Sequence, residues 1–73
     1  MNLTEIGQAI KERRAALGVT QRTVADLSGV AINTVVAIER GEGNPQIATL
    51  LDILNTVGLQ LEIHQKMMDY ETV

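Results

Sequence analysis

A chain of 73 residues without cysteine has room for one domain, and it excludes a disulfide framework, thiol nucleophiles and thiolate metal sites. A net charge of −3 disfavours a protein that coats nucleic acid. A domain this small lies near the lower limit of independent stability, so oligomerisation is an expected remedy. The charge is unevenly distributed. Residues 1–43 hold Lys11, Arg13, Arg14, Arg22 and Arg40 against Glu5, Glu12, Asp26, Glu39 and Glu42, so the net acidity comes from the remainder. Any nucleic-acid face is therefore expected in the N-terminal half. No apolar run approaches the roughly 20 residues of a membrane span. No basic stretch followed by an apolar run opens the chain, so neither a membrane segment nor a signal peptide is expected. The expected location is cytoplasmic, in keeping with the absence of cysteine.

In chain order, Thr4 reads as the N-cap of a first helix, with Ile6, Ile10, Arg14 and Leu17 on one face and Gly18 as its stop. Thr20 caps a second helix, Gln21 to Ser28, that buries Val24 and Ala25. Gly29 supplies a tight turn, and a third helix runs from about Ala31 to Arg40 with Val35 and Ile38 inward. Gly41-Glu42-Gly43-Asn44-Pro45 is a loop. Ile47, Leu50, Leu51, Leu54 and Val57 make a fourth helix with a broad apolar face, stopped at Gly58. The period then changes: Leu59 to His64 alternates apolar with polar, the pattern of a half-buried strand, here placed at about 59–65. Residues 1–66 form the domain, and 67–73 carry no pattern and read as a mobile tail.

Two short helices joined through a glycine turn offer the second helix to the DNA major groove. The run VTQRTVADLSGVAINTVVAIERG over residues 19–41, followed by N-P and T-L-L, strongly resembles the Xre/Cro-repressor type of helix-turn-helix family. The resemblance covers about residues 3–58. It implies a mainly α, four-helix, lambda-repressor-like domain that binds double-stranded DNA and regulates transcription, and is not an enzyme. No cofactor and no metal are expected. His64, the single histidine, has no nucleophile or ligand cluster near it in sequence and reads as an exposed strand residue.

Burial of charge gives an independent reading. Arg14 interrupts the apolar stripe of the first helix and Glu39 lies inward on the third, beside Ile38. An isolated buried charge is too costly, so the two are expected to pair. The resemblance implies an Arg–Glu pair at the same positions.

With Val35 and Ile38 inward, the outward side of the third helix is Asn33, Ala37 and Arg40, with Val36 at its edge. The resemblance implies that Ile32, Asn33 and Ala37 read base edges and that Gln21 and Thr34 hold phosphates. Asn33 can pair with adenine through two hydrogen bonds, and Ile32, Val36 and Ala37 can meet thymine methyl groups. These side chains depart from the family's usual readers, so its base code does not carry over; Ile32 fits a core position equally well. Arg22 and Arg40 are candidate phosphate anchors, although an exposed arginine also serves solubility.

A lone strand cannot satisfy its own backbone, so the segment after the fourth helix is expected to pair with the same strand of another copy through Leu59, Leu61 and Ile63. Helices followed by such a strand resemble antitoxins of the HipB type. The expected protein is a homodimeric repressor on a palindromic operator. The alternatives are an antitoxin that also binds a HipA-like protein toxin, a controller of a restriction-modification operon, or an interaction module without DNA binding.

Overall fold

The computed structural model describes residues 1–67. Among these, the chain forms four helices: α1 (Leu3–Leu17), α2 (Gln21–Ser28), α3 (Ile32–Glu39) and α4 (Ile47–Thr56). The local signals that start and stop them are mostly visible. Thr20 accepts the amide of Thr23 at the start of α2. Gly29, at φ 74°, ends α2 in the left-handed region, where a side chain would be strained, and so allows the abrupt turn into α3. The first cap differs from expectation. Asn2, not Thr4, caps α1 by accepting the amide of Glu5, because an earlier residue with a short amide side chain reaches the same orphan donors.

The core is built from one or more residues of every helix. Ile10 of α1, Val24 and Ala25 of α2, Val35 and Ile38 of α3, and Leu50, Ile53 and Leu54 of α4 are buried, with Val57 closing the end. Two expectations about inward faces require correction. Leu17 is 47% exposed, because the last turn of α1 runs past the core. On α4, Ile47 and Leu51 are exposed, and Ile53 is fully buried instead. That helix is apolar around most of its circumference, so period alone does not select the buried side.

Helices α1 and α3 approach closely at Gly7. A β-carbon at Gly7, which is buried in the middle of α1, would collide with the carbonyl oxygen of Ile38. A second tie runs from α1 to the end of α4: Arg13 Nε donates to the Val57 carbonyl at 2.9 Å. That bond satisfies an orphan acceptor and puts a cation at a helix C-terminus.

No strand forms among the described residues, where residues 59–67 lie outside helix and ladder. Strand pairing needs a second strand, and no other segment of the described chain supplies one. Leu59 and Leu61 pack, half-buried, against the core, whereas Ile63 is 95% exposed. Of the expected tail, Met67 is exposed and the rest lies outside the described residues.

Candidate nucleic-acid interface

The outward face of α3 is built on a rigid inner face. Val35 and Ile38 are buried, and Glu39 beside them is a buried carboxylate. Arg14 meets that carboxylate in a forked arrangement: Nε donates to Oε2 at 2.7 Å and Nη2 to Oε1 at 3.0 Å. Arg14 Nη1 also donates to the Val19 carbonyl at 3.0 Å, ahead of α2. Gln21 Nε2 donates to Glu39 Oε1 at 3.2 Å. The carboxylate therefore ties α1 and α2 to α3, and Arg14 in turn holds the α1–α2 turn through Val19. The hydrogen bond from Glu39 raises the Arg14 pKa above its ordinary value, so the guanidinium remains charged throughout the range in which proteins fold.

Opposite this anchor, Asn33 and Arg40 are exposed, and Thr34, Val36 and Ala37 are half-buried along the same helix. Asn33, Thr34 and Ala37 line a shallow open depression whose far rim is the loop Glu42-Gly43-Asn44-Pro45. The loop residues were not foreseen as part of this face, because only the return of the chain toward α4 brings them beside α3. Ile32 is half-buried and packs against the core. Arg22 is exposed at the start of α2; among the described residues, neither it nor Arg40 forms an ion pair. Gln21 is half-buried, with one amide hydrogen committed to Glu39.

The geometry is that of two helices joined by a tight glycine turn, with the second one exposed along one side. Residues 10–63 match the helix-turn-helix family. The chain belongs to that family. Over 50 residues it is 42% identical to an uncharacterized HTH-type transcriptional regulator of Haemophilus influenzae, covering 68% of this chain and 51% of that protein. Over 55 residues it is 36% identical to the HTH-type transcriptional regulator PuuR of Escherichia coli, covering 75% of this chain and 30% of that protein. The chain thus spans about half or less of the length of these curated relatives. The fold is similar to that of the restriction-modification controller protein C.AhdI from Aeromonas hydrophila, with a TM-score of 0.72 and 33% identity. That likeness covers 80% of this helix-turn-helix chain and 88% of the controller.

The described residues contain no group of three or more histidine, aspartate or glutamate side chains that could hold a metal. No helix among them is long and apolar enough to cross a membrane. His64 contacts Glu62 at 3.0 Å on the surface, away from α3 in sequence.

Proposed function

We infer that this chain is a sequence-specific double-stranded DNA-binding transcriptional regulator that acts as a homodimer on a two-fold symmetric operator. The observation that carries the reading is the two-sided character of α3. Its inner side is clamped by Arg14, Gln21 and Glu39, and its outer side presents Asn33, Ala37 and Arg40. A helix locked in this way inserts into a major groove with little loss of side-chain or backbone freedom at its base, and preorganisation raises affinity.

In this reading Asn33 accepts from and donates to an adenine edge, and Ala37 and Val36 meet thymine methyl groups. Arg40, Arg22 and Thr34 hold phosphates, which set the register of α3 on the duplex. Gln21 adds a phosphate contact through the amide hydrogen that Glu39 leaves free. Ile32 serves the core, given its packing there. Occupancy of the operator blocks transcription, with no chemical step. The alignment with the controller protein over most of its length favours control of a restriction-modification operon as the process regulated.

Selection from a pool of random duplexes tests the reading. It should enrich an inverted repeat with half-site centres about one helical turn apart, and binding should weaken as salt rises. A pool that yields no motif would remove its basis.

A further inference from the structure

Three side chains of the arm after α4 lie on one side of it. Gln60 Nε2 donates to Glu62 Oε1 at 3.0 Å, and His64 Nε2 lies 3.0 Å from Glu62 Oε2. Side chains two apart meet in this way when the backbone is extended, because alternate residues then share a face. The arm already has the alternation of a strand. Its other side is Leu59, Leu61 and Ile63, of which the first two rest on the core and the third is bare.

Beside the arm is a partly open, mostly apolar pocket of about 230 Å³, lined by Ile6 and Ala9 of α1, Leu54 of α4, and Leu59 and Leu61, with Met1, Glu5 and Gln60 also on its wall. A mostly apolar pocket and an exposed isoleucine a few residues along the arm that borders it are complementary. Ile63 cannot fill the cavity of its own chain while the arm is extended, since it lies roughly 13 Å beyond Leu59 along the strand direction.

We propose that the cavity is filled by Ile63 of a second copy, so that the two arms exchange their ends across the dimer axis. This rests on the homodimer reading above and specifies the residues that make it. Antiparallel pairing centred on Leu61 sets Ile63 of the second copy directly opposite Leu59, pointing to the same face and hence toward the cavity. It also sets Gln60 opposite Glu62, preserving a donor for each carboxylate. Centring on Ile63 opposes the two isoleucines to each other and leaves both cavities open. Centring on Glu62 opposes two carboxylates, which repel.

The absence of cysteine makes the test direct. Ala9→Cys and Ile63→Cys chains, mixed and oxidised, should form a disulfide between unlike chains. Leu61→Cys should link to itself, because opposed residues at the axis lie about 4.5–5.5 Å apart between α-carbons, within disulfide reach. Ile63→Cys alone should remain unlinked. Ile63→Ala should raise the dimer dissociation constant on the order of a hundred-fold while the helical circular dichroism is unchanged. Self-linking of Ile63→Cys, or a Leu61→Cys link without the mixed Ala9–Ile63 link, would overturn the cavity assignment and leave the dimer standing. A wild-type chain that sediments as a monomer when it saturates DNA would overturn the dimer reading itself.

Discussion

Arg14 and Glu39 are joined by two hydrogen bonds of 2.7 and 3.0 Å, from a guanidinium on α1 to both oxygens of a buried carboxylate at the end of α3. A forked pair of this kind fixes orientation as well as distance. Removing one member should therefore do more harm than removing both. Arg14→Met should cost about 3–5 kcal/mol, because it strands the carboxylate, and Arg14→Met with Glu39→Leu should recover much of that. Urea denaturation of the single and double variants measures the difference. Equal, small effects would mean that neither side chain depends on the other.

Gly7 should be intolerant of a single methyl group. Alanine in mid-helix ordinarily gains roughly 0.5–1 kcal/mol over glycine. Here the added carbon meets the Ile38 carbonyl oxygen, which the backbone of α3 holds in place. Overpacking of that kind costs about 1–3 kcal/mol, so the clash outweighs the gain. Thermal denaturation of Gly7→Ala should show a lowered Tm, and an unchanged or raised Tm would contradict the close approach of α1 to α3.

The two sides of α4 should respond very differently to substitution. Ile53→Ala empties a fully buried position and should cost about 2–5 kcal/mol. Leu51→Lys and Ile47→Lys, on the exposed side, should change stability by about 0.5 kcal/mol or less. Denaturant midpoints compared across the three variants check the assignment of faces.

These three cases also show what could be read before the structure. The pairing of Arg14 with Glu39 was legible because a charge interrupting an apolar stripe demands a partner, and only two charges stood in that position. The turns at Gly18 and Gly29 were legible because helix stops are local. The burial of Ile53 was not, since Ile47, Leu50, Leu51, Ile53 and Leu54 surround α4 with apolar groups and leave the choice of face to its neighbours. The isolated Gly7 inside a helical pattern was a signal of close backbone approach that composition and period pass over. The bond from Arg13 to the Val57 carbonyl, and the return of Asn44 and Pro45 to the edge of α3, depend on tertiary placement and have no local signature.

On the outer face of α3, Arg40 carries a charge with no ion-pair partner among the described residues. As a phosphate anchor it should support binding to all sequences alike. Arg40→Ala should weaken specific and nonspecific duplexes in parallel and reduce the salt dependence by about one phosphate contact. Fluorescence anisotropy over a salt series reads both quantities. A loss confined to one sequence would reassign Arg40 to base reading.

The most direct measurement is a paired duplex selection with the wild-type chain and with Asn33→Ala, since Asn33 is the exposed polar residue of α3 suited to a base edge. The account predicts an inverted-repeat motif for the wild type. For the variant it predicts the same motif with preference relaxed at one base pair in each half-site and an affinity loss of about 1–3 kcal/mol on the wild-type operator. A variant that selects the wild-type motif with undiminished preference at every position would contradict the assignment of the reading face to α3.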